Sequence, residues 1–205
     1  MVDPLVLLAF IPAALALNLT PGADMLFCLG QGLRSGAGPA VSASAGVSLG
    51  AFLHTLAAGL GLSAVVAALP WAFDVIRWVG VAYLLWVAWQ SLHAGPVRGA
   101  VRGVSAMRAF REGLVVNLTN PKVILFVLAF VPQFVDPAHA VLPQFLAYGA
   151  VLAVGGFIVN GLVGIFAGGI GKKLMGNAQF STWLGRVSAA IFVALAVRLA
   201  LLQRG

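Results

Sequence analysis

Apolar residues in this sequence do not recur every second position, nor every third to fourth. They run on continuously, interrupted by short clusters of glycine, proline and charge. Six such runs span roughly 4–30, 39–64, 71–93, 105–135, 141–170 and 183–203. Each is long enough to cross a hydrocarbon core of about 30 Å, which takes about 20 helical residues at ~1.5 Å each. All are far too long for the alternating strands of a membrane barrel. A helix satisfies its own backbone in lipid, so the pattern predicts an all-α integral membrane protein with six transmembrane helices. The connections are short, the clearest being Gly30 to Pro39, His93 to Val104 and Gly171 to Thr182. They leave no room for a soluble unit, and residues 1–205 read as a single transmembrane domain.

Composition supports this reading: 61% of residues are hydrophobic and 8% charged, with a mean hydropathy of +1.05. A soluble domain keeps roughly a quarter of its residues charged. The acids here are Asp3, Asp24, Asp74, Glu112 and Asp136. The net charge of +7 does not imply a nucleic-acid partner, because the basic residues are scattered between spans, where they act as topology signals. Connections 1–2, 3–4 and 5–6 carry Arg34, then Arg98, Arg102, Arg108 and Arg111, then Lys172, Lys173 and Arg186. Connection 2–3 has only Arg77 beside Asp74, and connection 4–5 has Asp136 and no lysine or arginine. The positive-inside rule therefore puts the first group in the cytoplasm and both termini outside. Trp71, Trp86 and Trp89 suit the membrane interfaces, and Arg198 suits snorkelling to the outer headgroups. Asp3 stands where a signal peptide would be basic, so the first run is expected to be a retained helix. Cys28, the single cysteine, excludes an internal disulfide and a multi-cysteine metal site. No cofactor is expected. The bilayer is the one partner that composition demands, and a homo-oligomer is compatible with it.

The chain repeats itself. Asn18-Leu19-Thr20-Pro21-Gly22 in the first run returns as Asn117-Leu118-Thr119-Asn120-Pro121-Lys122 in the fourth, with one residue inserted. Leu26-Phe27 and Leu125-Phe126 follow the two copies. Three spans separate them, an odd number, so the halves enter the membrane in opposite directions. This predicts two inverted three-helix repeats, about 1–95 and 100–205, an architecture of many secondary transporters.

Each copy predicts a broken helix. Pro21 and Pro121 cannot donate a backbone hydrogen bond and clash with the preceding turn, and Gly22 weakens the first helix further. Thr20 is expected to cap a half-helix beginning at Pro21, and Asn120 one beginning at Pro121. Broken helices at mid-depth survive where the freed backbone is buried in protein or lines a wet cavity. Their exposed N–H groups make a seat for an anion such as a carboxylate. Asp24 and Lys122 lie beside the breaks. A carboxylate at a helix centre costs roughly 2.5–3.5 kcal/mol on insertion scales, which marks both residues as binding candidates. Asp24 would hold an ammonium or a proton and Lys122 would assist a carboxylate, or the two would pair with each other. Asn18, Thr20, Asn117 and Asn120 supply further polar groups.

His54 in the second run and Asn160 in the fifth occupy similar depths in the two halves, and are candidates for lining the same cavity. Gly46, Gly50, Gly155, Gly156, Gly161 and Gly164 have the spacing of close helix packing. Cys28 reads as a small apolar residue. Ser48 and His54 do not make a hydrolase, because six residues apart on one helix they face different ways.

Four segments together carry a resemblance over nearly the whole chain: Thr20-Pro21-Gly22-Ala23-Asp24, Gly80-Val81-Ala82-Tyr83-Leu84, Asn120-Pro121-Lys122 and Val131-Pro132-Gln133-Phe134-Val135. The chain resembles the lysine exporter superfamily, and within it the homoserine/threonine-resistance branch. Ala23 departs from that branch, where a second proline commonly follows the glycine. The resemblance implies a proton-motive-force-driven exporter of amino acids or close derivatives in a bacterial inner membrane, and not an enzyme. It leaves open a metal-ion exporter of the same superfamily. A non-transporting membrane scaffold is the alternative from another class, and it has no need of Asp24 and Lys122 at mid-membrane.

Overall fold

The computed structural model of the chain describes residues 3–68, 104–168 and 177–201, with scattered positions between 75 and 93. Among these residues every regular element is helical. α1 spans Pro4–Leu19, α2 Ala23–Ser35, α3 Ala37–Ala68, α4 Ala106–Leu118, α5 Pro121–Ala129, α6 Val141–Ile165 and α7 Ala178–Leu201. One 3-10 turn, Val131–Phe134, follows α5, and another, Phe166–Gly168, follows α6.

The continuous apolar runs become helices because no other backbone is satisfied in lipid. Two unbroken stretches, Ala37–Gly61 and Val141–Ile165, are long and apolar enough to cross a membrane. Two bent pairs qualify when each counts as one span: α1 with α2, bent by 55°, and α4 with α5 and its turn, bent by 53°. The first and fourth predicted spans are therefore both broken, at their Pro21 and Pro121 segments. α7, 24 residues long, covers most of the sixth. The third expected span, with Trp71 and most of Gly80 to Leu84, lies largely outside the described residues. So do Arg98, Arg102, Lys172 and Lys173, and the side chain of Arg198.

Local rules set the helix ends. Asp3 Oδ1 accepts from Leu5 N at 2.8 Å, with Pro4 as the first helical residue. Gly36 ends α2 at φ 84°, a conformation that suits glycine, so α3 starts at the next residue. Ser105 caps α4. In the connection before α6, Asp136 accepts from Ala138 N and from the His139 ring, both at 2.8 Å, while Gln144 bonds the Asp136 backbone. The Ala138 N–H and then His139 hold the Asp136 carboxyl below the usual carboxylate range.

α3 is the central element, packed against α2, α4 and α6. On α6, Gln144, Tyr148, Leu152, Gly156, Asn160 and Gly164 recur every fourth residue, and all are buried. Small residues bring the helices together backbone to backbone. A Cβ on Gly46 would overlap the Phe110 carbonyl, one on Gly113 the Ala43 carbonyl, and one on Gly32 the Gly164 carbonyl. A layer of rings lies towards the N-terminal ends of α1 and α6. Phe10 meets Phe134 edge-on at 5.2 Å and Tyr148 at 4.9 Å, and Phe130 joins Phe126 and Phe134 at 4.9 and 5.2 Å. The Tyr148 hydroxyl donates to Phe134 O at 2.7 Å. Leu5, Leu8, Val154, Ile158 and Leu162 face outward, an apolar coat that suits lipid.

These crossings predict a contrast between two glycines of one helix. Gly46→Ala sets a methyl against backbone that cannot swing away, and should destabilise the detergent-solubilised protein by roughly 1–3 kcal/mol. Gly61→Ala, with nothing within 4 Å of the added carbon, should not lower the midpoint. Thermal unfolding of both variants checks this, and equal midpoints would refute the close crossing.

Candidate functional site

The site is built by the two breaks. In the first, Thr20 is held extended (φ −67°, ψ 121°) because a residue before proline is pushed out of the helical region. Its hydroxyl donates back to Ala16 O at 2.6 Å, and its own N–H closes α1 on the same carbonyl at 3.0 Å. This corrects the expectation that Thr20 caps a half-helix starting at Pro21. Thr20 ends α1 instead, Pro21 lies between the helices, and α2 begins at Ala23 with Gly22 as its N-cap. Gly22 has no side chain to offer the freed N–H groups of α2. In the second break, Asn120 Oδ1 accepts from Lys122 N at 3.0 Å, and Pro121 is the first residue of α5. Asp24 and Lys122 thus both stand second in their helices, although they follow their prolines at different distances.

The two breaks reach into each other. Lys122 Nζ donates to Leu17 O and Thr20 O, each at 3.0 Å, and so satisfies carbonyls freed at the end of α1. Asn117 Nδ2, in the last turn of α4, donates to Asp24 Oδ2 at 3.0 Å. Among the described residues, no ion pair within 4.0 Å joins Asp24 to Lys122. In place of a direct contact stand two separate ties, each to the other half's backbone or amide, with the Asp24 carboxylate acting on the Lys122 ammonium through space. Gly22 faces the Lys122 ammonium, with Nζ 3.0 Å from where a Cβ would stand.

Between the ties lies a cavity of about 20 Å³. Its polar lining is Asn18, Thr20, Asp24, Ser48, Asn117, Lys122 and Asn160, and its apolar lining includes Leu17, Met25, Val47, Ala51, Val123 and Leu152. That volume holds about one water-sized group, since roughly 10–15 Å³ suffices for a water. Asn18 Nδ2 donates to Leu152 O at 3.2 Å and ties α1 to α6. The structure thus brings Asn18, Thr20, Asp24, Asn117, Lys122 and Asn160 together. Pro21, Gly22, Asn120 and Pro121 shape the breaks without lining the cavity. His54 is half-buried one layer out, with its Nε2 3.2 Å from Asn117 O, so the expectation that it shares the cavity with Asn160 does not hold. Depth along a helix follows from sequence, but the face a residue presents does not.

Sequence reasoning missed Ser48 as part of this site. The signal was present in α3, where Ser44, Ser48, Ala51 and Thr55 recur at four, three and four residues and are all buried. Small polar residues on one helical face mark a polar seam.

Residues 15–203 match the LysE type translocator family. This chain belongs to that family. Among curated relatives, the translocator is 29% identical to the "Homoserine/homoserine lactone efflux protein" of Salmonella typhimurium, over 94% of both chains. It is 30% identical to the "Leucine efflux protein" of Klebsiella pneumoniae, over 96% of this chain and 95% of the relative. An "Uncharacterized membrane protein" of Vibrio cholerae is 34% identical over 69% of this chain and 71% of its own. No solved structure matches the translocator.

The Lys122 tie yields a stability prediction. Lys122→Met keeps the length of the side chain and leaves two buried carbonyls unpaired, at about 1–3 kcal/mol each. It should unfold several degrees below the parent in detergent, while Thr119→Val, at an exposed position, should change little. A Lys122→Met midpoint equal to the parent's would mean that the tie contributes nothing.

Proposed function

We propose that this translocator exports amino acids or close derivatives across a bacterial inner membrane, driven by the proton-motive force. The observation that carries the reading is the joining of two helix breaks around one cavity, with Asp24 and Lys122 each at the start of a half-helix. In this reading the two halves are inverted repeats. The substrate carboxylate lies against the uncapped N-terminus of α2 at Gly22, beside Lys122. Two of the three ammonium N–H groups of Lys122 are engaged, which leaves one for the substrate. Asp24 holds the substrate ammonium and, when the substrate has left, a proton. Membership in a translocator family and the efflux names of two relatives support export. The metal-ion alternative has no observation in its favour: among the described residues no three His, Cys, Asp or Glu side chains gather, and one carboxylate among amides suits an ammonium.

Asp24→Asn keeps the shape and removes the titratable charge. In proteoliposomes it should reduce pH-gradient-driven efflux of preloaded amino acids to background, while the protein remains folded and inserted. Undiminished gradient-driven efflux by that variant would remove Asp24 from the coupling step.

The same reading places both termini outside. With Cys28 replaced by serine, a cysteine at Ala138 should be labelled in intact cells by an impermeant maleimide, and a cysteine at Met107 should not. The reverse pattern would invert the orientation.

A further inference from the structure

A groove of about 350 Å³ lies between α1 and α6 on the outer surface of the translocator. Its walls include Ile11, Ala14 and Leu15 of α1 and Val151, Val154 and Gly155 of α6. Leu15 and Val154 are 41% and 59% exposed, so the groove opens outward, on the apolar coat that suits lipid. Among the described residues, the one polar side chain in its lining is Asn18. Asn18 is also the one residue that the groove shares with the central cavity. Opposite it, α6 offers no side chain. A Cβ on Gly155, which lines the groove, would lie 2.8 Å from Asn18 Nδ2, and one on Gly156, which lines the cavity, 3.2 Å from Asn18 Oδ1. A single amide thus stands between a polar cavity and an apolar groove.

That amide is lightly held. Its one hydrogen bond among the described residues runs from Nδ2 to Leu152 O at 3.2 Å, the long end of the range for N–H···O. Its orientation is set, because the turned amide would point oxygen at that carbonyl. Of the residues lining the cavity, Asn18 and Lys122 alone are not buried, and Lys122 is fixed by two carbonyls. Asn18 is therefore the wall that yields most easily. A cavity of about 20 Å³ takes one water-sized group, so a larger solute has to displace a wall. We infer that Asn18 is a side door and a specificity-determining residue. When its amide leaves Leu152 O, cavity and groove become one space, and the apolar chain of a solute whose polar end occupies the cavity lies in the groove. This deepens the proposed function, on which it rests. It assigns the groove to the side chain of the transported compound, with Val154 at the exposed end as the limit on its bulk.

The test uses the full-length protein in proteoliposomes, with Cys28→Ser and Ser48→Cys so that a single thiol lines the cavity. A neutral alkyl methanethiosulfonate that partitions into lipid should modify that thiol about tenfold faster after Asn18→Ala, since one lost hydrogen bond is worth about that factor. The charged sulfonatoethyl reagent, confined to water, should gain far less. Adding Val154→Trp, a change at an exposed position that folding tolerates, should fill the groove and return the neutral reagent to the parent's rate. Val154→Trp alone should slow that reagent with Asn18 intact, a comparison that decides the matter even if Asn18→Ala fails to insert. Equal rates with and without the Asn18 side chain, an equal gain for the charged reagent, or no effect of Val154→Trp would each overturn the side door. Counterflow of alanine and of leucine then separates the two readings. Val154→Trp should lower the leucine-to-alanine ratio of kcat/KM about tenfold. If labelling follows the expected pattern and neither amino acid exchanges, the side door stands and the amino-acid reading falls. If both exchange and Val154→Trp leaves their ratio unchanged, the side door falls and the export reading stands.

Discussion

Breaking a helix inside a bilayer frees carbonyls and N–H groups that lipid cannot satisfy, and most of this architecture answers that problem twice over. At the first break the partner is Lys122, which binds Leu17 O and Thr20 O from the far half of the chain. At the second, Asn120 caps α5 locally, and Asn117 is spent on Asp24. The first break is thus held from the other half of the chain and the second by its own Asn120, with the Asn117–Asp24 bond joining the two. The magnitudes explain why these contacts dominate. An unpaired buried carbonyl costs about 1–3 kcal/mol, whereas an exposed pair such as Arg108 with Glu112, at 2.7 Å, contributes about 0–1 kcal/mol.

Close packing lets the ties form at all. Gly50 has Asn117 where a side chain would be, and Gly155 and Gly156 have Asn18. The small residues predicted to serve helix contact therefore serve the polar centre too, by letting two asparagines lie between helices. On one side of that centre stands the ring layer of Phe10, Phe126, Phe130, Phe134 and Tyr148, all nearly or fully buried. Rings packed this closely move together, since packed interiors switch between discrete arrangements instead of deforming smoothly.

The two breaks and the Asn120 cap were legible because proline and asparagine act through rules spanning three or four residues. Thr20 was misjudged within the same rules: a threonine before proline can cap forward or bond back, and only the backbone decides between them. The Lys122 tie was not legible. It joins residues 105 and 102 positions apart, and nothing in either segment names the other. Ser48 was passed over because a serine in an apolar helix is ordinary, and its register with Ser44 and Thr55 acquires meaning once α6 is known to lie against it. His54 was expected at the cavity and lies on a face of α3 that does not line it.

The distance along the chain between Lys122 and the carbonyls it serves also sets an order of events during synthesis. At about 5–20 residues per second, the bend between α1 and α2 waits about 5–20 seconds for the residue that satisfies it. During that interval the first half cannot settle into lipid with its broken segment paired, and must keep those carbonyls in contact with water or with the insertion machinery. A ribosome stalled before residue 122 would leave a nascent chain that holds α1 to α4 and lacks the lysine that closes their first break.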